Sequence, residues 1–390
     1  MSLSDYVIRV LDSPAAVDAA AWNALLSAQE HPSPFMRHEY LAAMDASGSA
    51  TPGTGWTPRF ITLWRGDALC GACALYLKDH SYGEYVFDWA WADAYQRHGL
   101  AYYPKALVAP PFTPVPGARL LACDAAARLA LVRAAVAWCE AQKLSSLHLL
   151  FASDADIAAC TEAGLMLRHT VQFHWNKPTG AAWAGFDDFL MALSQDKRKK
   201  IRQERRKVAD AGVRFRWSQG TDITPADWDF FYRCYERTYL EHGNAPYLTR
   251  DFFRRMAQTM PENWLLFVAE HEAAPIASSL IALSQDSVQG RVAYGRYWGA
   301  LQRVDCLHFE ACYYQPLQWC IEQGYTRFEG GAQGEHKMAR ALMPVRTSSA
   351  HWLAHPSFAD AVERFLEREG EGIGNYLEHL QERSPFRSGS

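Results

Sequence analysis

Gln318-Trp319-Cys320-Ile321-Glu322-Gln323-Gly324 closes a helical pattern and runs directly into the apolar, strand-like Tyr325-Thr326-Arg327-Phe328-Glu329. The same succession stands 181 residues earlier, where Ala137-Trp138-Cys139-Glu140-Ala141-Gln142-Lys143 leads into Leu147-His148-Leu149-Leu150-Phe151. Trp, Cys and Gln coincide, so one supersecondary pattern is laid down twice. A fainter echo lies upstream: Ile61 to Tyr76 and Phe267 to Ala282 both read as strand, short polar turn, strand. Each half then holds a hairpin, further strands, a helix ending in Trp-Cys and another strand. That order describes an α+β (mixed α/β) fold with helices packed on a largely antiparallel sheet.

Length agrees with duplication, since 390 residues at about 150 per domain give two or three domains. The periodicity is interrupted at Asn176 to Gly185 (NKPTGAAWAG), which sets the expected domains at 1–180 and 181–390. Beyond that break, Phe186, Leu190, Leu193, Ile201 and Val208 fall on one helical stripe. They predict a single helix over 186–211, stopped by Gly212.

Apolar residues at 49% and charged residues at 21% exclude a disordered chain, and a net charge of −4 excludes one that is basic throughout. No apolar run approaches a membrane span and the first residues lack a signal pattern, which predicts a soluble, cytoplasmic protein. Nine cysteines scattered within apolar runs suit a reducing compartment. Cys70 and Cys73 form a C-x-x-C, but no second ligand pair follows at zinc spacing, and strand alternation would set the two thiols on opposite faces. They read as small buried hydrophobes, and no metal is expected.

Charge is concentrated in DKRKKIRQERRK, residues 196–207, where eight bases meet two acids and leave −10 for the rest of the chain. Seven of the eight bases lie off the apolar stripe, while Lys197 sits on it. Lys197, Arg198, Lys200 and Arg202 are candidates for contact with phosphate, including that of RNA; the plain alternative is a solvated face with Lys200 and Glu204 paired.

The densest chemistry follows the second copy of the repeat. Glu329-Gly330-Gly331-Ala332-Gln333-Gly334-Glu335-His336-Lys337-Met338-Ala339-Arg340 turns on three glycines, then gathers an acid, an imidazole and two cations. Glu335 and His336 are suited to moving a proton near neutral pH, and Lys337 and Arg340 to facing an anionic group. These four are the candidate catalytic residues. Val292 to Trp298 reads as a strand, followed by a loop over 299–305 and a helix from Leu307. Tyr294, Arg296, Trp298, Gln302 and Arg303 are therefore placed along a donor path ending at a helix N-terminus. His308, Glu310, Glu329, Gly330 and Gly331 complete the expected substrate cleft. In the first half, Pro110-Pro111-Phe112-Thr113-Pro114-Val115-Pro116 offers few N–H groups, so chemistry is expected in the second half, with Trp89, Trp91 and Tyr95 at most shaping a cleft wall.

Three stretches carry a family resemblance: Ala109-Pro110-Pro111-Phe112-Thr113-Pro114 with Gly117-Ala118-Arg119-Leu120-Leu121, Leu307-His308-Phe309-Glu310-Ala311-Cys312-Tyr313-Tyr314, and Glu329 to Lys337. Along essentially its whole length the chain resembles the FemAB-like predicted bacterial N-acyltransferases, often labelled peptidoglycan biosynthesis or recognition proteins. The resemblance implies two tandem GNAT-like (acyl-CoA N-acyltransferase-like) domains, with Lys337 matching the lysine that follows the Gly-rich loop in the wider group. It implies transfer of an acyl or aminoacyl group from acyl-CoA or aminoacyl-tRNA to an amine, in cell-envelope or peptidoglycan metabolism. The usual acyl-CoA loop, Arg/Gln-x-x-Gly-x-Gly/Ala, is intact in neither half, and no long coiled-coil insertion is present, so both donors stay open. A non-catalytic module that recognises cell-wall precursors or RNA is the rival reading.

Overall fold

Both Trp-Cys helices carry the chain from one strand to a parallel neighbour. The computed structural model describes residues 6–181, 183–284, 290–332 and 334–386. They belong to two compact units, Met1–Thr170 with Arg346–Asn375, and Val171–Val345 with Tyr376–Ser390.

The first half of the chain contributes β1 (Val7–Leu11), α1 (Ala19–Ser27), α2 (His38–Ala46), β2 (Trp56–Pro58), β3 (Phe60–Arg65), β4 (Ala68–Cys73) and β5 (Leu75–Lys78). After these come α3 (Trp89–Arg97), β6 (Lys105–Val108), β7 (Leu121–Ala122), α4 (Ala125–Ala141), β8 (Ser146–Leu149), α5 (Asp154–Glu162) and β9 (Met166–Asn176). The second half gives α6 (Phe186–Ala192), α7 (Gln195–Asp210), β10 (Val213–Gln219), α8 (Pro225–Glu241), α9 (Arg250–Thr259), β11 (Trp264–His271) and β12 (Ala274–Ser284). It continues with β13 (Val292–Ala300), the short α10 (Leu307–Phe309), a π-turn over Glu310–Tyr314, α11 (Gln315–Glu322), β14 (Arg327–Ala332), a 3-10 turn over Glu335–Arg340, β15 (Met343–Leu353) and α12 (Pro356–Glu382).

In the first unit β1, β3, β4 and β7 form an antiparallel sheet. Beside it, β2 pairs β5 and β5 pairs β6, both antiparallel, before β6 and β8 run parallel from Ala106↔Leu147 to Val108↔Leu149. The crossover between them is α4, started by the Asp124 side chain accepting from Ala127 N, and its Leu131, Ala135 and Cys139 pack into the core with Leu147 and Leu149. The second unit repeats this plan. Its strands β10, β11, β12 and β13 are antiparallel, then β13 and β14 run parallel over only Val292↔Arg327 to Tyr294↔Glu329, and α11 buries Trp319 and Cys320. The two hairpins expected from the sequence are β3–β4 and β11–β12.

Three readings are corrected. The division is not a single cut near 180, because residues 346–375 belong to the first unit: β15 pairs β8 from Ala350↔Leu149 to Leu353↔Ser146, and Val362 and Leu366 of α12 pack with Trp91, Tyr95 and Tyr102. The helix expected over 186–211 is two helices. Leu193 and Ser194 adopt extended backbone, and the Ser194 N–H is taken by the Pro385 carbonyl at 2.9 Å, so α7 starts anew at an N-cap serine. Cys70 and Cys73 share one core cluster rather than opposite faces. Between Leu63↔Gly71 and Trp64↔Leu69 the register skips Cys70, and this bulge turns it onto the side of Cys73.

Candidate active site

The second unit's parallel pair opens almost as soon as it forms. Beyond Tyr294↔Glu329 the strands diverge, and β13 carries a bulge there, its register against β12 passing from Leu280↔Tyr297 to Ile281↔Gly295. Regular pleating would point alternate residues away, yet Gly295, Arg296, Tyr297 and Trp298 all line a cavity of about 130 Å³. Ser279 and Ile281 of β12 and Gly330 of β14 form part of its lining. A side chain at 330 would have to displace the buried Leu342, since a Cβ there would stand 2.4 Å from its Cδ2. Gly331 next to it holds φ 81°, a conformation glycine adopts without strain.

The remaining wall comes from the irregular helix. Pro316 has no N–H to give the Cys312 carbonyl one turn back, and the wide turn, with Gln315 N bonded to Glu310 O, absorbs the mismatch. Extra residues in that turn bring His308, Cys312 and Tyr313 onto the cavity together. The His308 ring lies 5.4 Å from that of Trp298 and 5.7 Å from that of Tyr313, and burial followed by the charges of His336, Arg340 and Lys337 lowers its pKa to about 4. It is a neutral imidazole at physiological pH. Burial raises the Tyr313 hydroxyl above the usual phenol range, and His336 Nε2 lies 3.4 Å from it.

Lys337 sits behind Gly330, only 3% exposed, with Nζ donating to the Gly331 carbonyl at 2.9 Å. Desolvation lowers its pKa to about 8, so it is cationic at neutral pH but close to releasing its proton. His308 and Tyr313 line the cavity, while Lys337 beneath the glycine turn and His336 beside the Tyr313 hydroxyl stand behind that lining; together such groups can stabilise an oxyanion and relay a proton.

The other expected catalytic residues lie elsewhere. Arg340 stacks its guanidinium 3.4 Å over the Phe309 ring and donates to Glu204 of α7 at 3.0 Å; Glu204, itself buried, also accepts from the Tyr314 hydroxyl. That is a structural ion pair fastening α7 to the site turn. Glu335 points to solvent and is held by Tyr376 at 2.7 Å and Arg383 at 3.3 Å. Glu310 is bound by Arg205 at 3.1 Å and Gln315 at 2.7 Å beside a wider cleft of about 790 Å³ between α7 and α11. Glu329 is buried beside His174 and Arg327. Tyr294 is buried within β13, outside the cavity lining.

In the first unit the matching opening is filled. Leu150 N donates to Val108 O at 3.2 Å, Gly117 N to Phe151 O at 3.0 Å, and the fully buried Arg119 places its guanidinium on the Leu150 and Val115 carbonyls. Trp91 and Tyr95 pack in the core around His148 and Phe358, whereas Trp89 is partly exposed against Tyr82.

A family model described as FemAB-like, peptidoglycan biosynthesis/recognition, matches residues 13–388. The chain belongs to the FemAB-like family. No curated protein matches it significantly in sequence. Among solved structures it is similar to FemX, at TM-score 0.52 and 11% identity over 89% of this chain and 98% of that one. It is likewise similar to L-PGS from Bacillus licheniformis, at 0.54 and 12% over 91% and 98%. At such identity these matches speak for the fold alone, one of mixed helices and sheets. Membership of the family supports a transferase role in peptidoglycan biosynthesis.

The N–H groups of Leu307, Phe309 and Glu310 are turned onto the carbonyls of Val304 and Cys306, while Gln302 and Arg303 are exposed. On α7, Lys199, Lys200, Arg202, Arg206 and Lys207 are exposed, whereas Lys197 and Arg198 are half-buried and Arg198 reaches the Met191 sulfur. Among the described residues no helix is long and apolar enough to cross a membrane, and no group of three or more His, Cys, Asp or Glu could hold a metal ion. Sequence reasoning missed Ser279, Cys312 and Tyr313. The signal available was Pro316, whose missing N–H disturbs the helix that carries two of them.

Proposed function

We propose that the second unit transfers an aminoacyl group from the 3′ end of a charged tRNA to an amine of a peptidoglycan precursor in the cytoplasm. The observation that carries this reading is the opening between β13 and β14 with Lys337 held beneath Gly330 and Gly331. Two further features favour RNA over acyl-CoA: the N–H groups of Leu307, Phe309 and Glu310 are engaged internally, and the same unit presents a cationic face on α7 suited to a phosphate backbone.

The neutral acceptor amine attacks the ester carbonyl at the bulge, and negative charge collects on the carbonyl oxygen. Lys337 stabilises that oxyanion. As the C–O bond to the ribose breaks, Tyr313 protonates the leaving oxygen, and the proton lost by the amine returns to Tyr313 by way of His336. The products are an amide and uncharged tRNA.

The test is a transfer assay on the purified chain with a pool of labelled aminoacyl-tRNAs, a panel of acyl-CoAs, and precursor stem peptides bearing a free amine, read by mass spectrometry of the acceptor. Amide formation from charged tRNA alone is expected. Transfer from acyl-CoA alone would replace the donor, and transfer from neither would overturn the reading.

A further inference from the structure

The C-terminal end of the chain is tied to the site turn and to the start of α7 at once. Leu380 is wholly buried in the second unit's core. Pro385 O accepts from Ser194 N at 2.9 Å, and Phe386 bridges Leu193. From this anchored segment Tyr376 donates to one carboxylate oxygen of Glu335 at 2.7 Å and Arg383 reaches the other at 3.3 Å. Glu335 is two residues from Lys337. Before it, Gly331 holds φ 81° and Gly334 φ 117°, conformations that glycine adopts without strain. The turn is thus fixed from both ends: Arg340 is bound to Glu204 on one side and Glu335 to the C-terminal segment on the other.

We propose that residues 376–386 act as a strap that positions Lys337, and that Glu335 is the positioning residue through which it does so. The strap's bearing on catalysis rests on the reading that Lys337 serves the transfer. Glu335 thereby takes a role different from the proton acceptor its sequence neighbourhood suggests. The strap holds the turn closed over Lys337, keeping the ammonium under the Gly330–Gly331 backbone and out of water. Ionisable groups around Lys337 are Cys312 and His308 of the irregular helix, His336 of its own turn and His174 of β9.

The test needs no substrate. The full chain is trace-labelled with acetic anhydride between pH 6 and 10, and modification of Lys337 is read by peptide mass spectrometry against the exposed Lys143 as internal reference. Wild type is expected to reach half-maximal labelling of Lys337 near pH 8. In Glu335→Ala and in Tyr376→Phe with Arg383→Ala, the midpoint should rise by about one unit and labelling at a fixed pH of 7 should change at least threefold. Glu335→Gln, which keeps an oxygen for Tyr376, should restore most of the wild-type profile. An unchanged Lys337 profile in both disrupted variants overturns the strap. Arg383 is largely exposed, so the double variant carries the test if Glu335→Ala fails to fold. A moved labelling profile with undiminished transfer would uphold the strap and instead count against Lys337 in the chemistry.

Discussion

Lys337 and Arg340 stand three positions apart on one turn, and their surroundings give them different work. Burial brings Lys337 to a pKa of about 8, whereas Arg340 is neutralised by Glu204 and covered by Phe309. If the cation is what transfer requires, kcat/KM for an acceptor whose amine is already neutral should fall as pH rises through about 8. Lys337→Ala should lower kcat by about 10²-fold or more, and Lys337→Arg, which stays charged, should remove the alkaline limb. Arg340→Ala should behave otherwise. Leaving Glu204 buried without its cation costs on the order of 3 kcal/mol, so a lowered melting temperature should accompany any loss of activity. The double variant Arg340→Met with Glu204→Leu should recover much of that stability, as read by thermal unfolding.

Among the elements, α7 shows how far a pattern in the sequence reaches. Its apolar stripe was legible, and Ile201 and Val208 are buried as that stripe requires. The break at Leu193–Ser194 was not, because the decisive hydrogen bond comes from Pro385, almost two hundred residues away. The cationic face was legible in outline, but only the fold shows Glu204 turned inward, which leaves the exposed cations without the acid that sequence spacing would pair with Lys200. Replacing Lys199, Lys200 and Lys207 together by Glu should leave the melting temperature within a few degrees while raising KM for aminoacyl-tRNA at least tenfold. The slope of log KM against log salt should flatten by about 0.7 for each phosphate that is no longer neutralised. A triple variant with unchanged KM and salt slope would make α7 a solvated face.

At the scale of the whole chain, duplication was readable because Trp-Cys helices lead into strands in the same order twice, with Cys139 and Cys320 buried alike. What could not be read were features set by residues distant in sequence: the return of residues 346–375 to the first unit, the π-turn, and the fates of Glu335 and Arg340. The same distinction explains why two copies of one scaffold need not share one chemistry. Both lay a parallel pair beside a crossover helix, but in the first unit Arg119 and the proline-rich loop occupy the opening, with Arg119 N donating to the buried Asp156 at 2.6 Å. In the second, glycines and a bulge leave a cavity at that place. A bound donor should therefore slow amide hydrogen exchange across Tyr294 to Trp298 and Phe328 to Gly331, and leave Ala106 to Val108 and Leu147 to Leu149 at their unliganded rates. Arg119→Ala should destabilise the first unit without creating a donor site, because the prolines still supply no N–H groups to an incoming phosphate. Protection confined to β6 and β8 on adding donor would place the chemistry in the first unit and overturn the assignment.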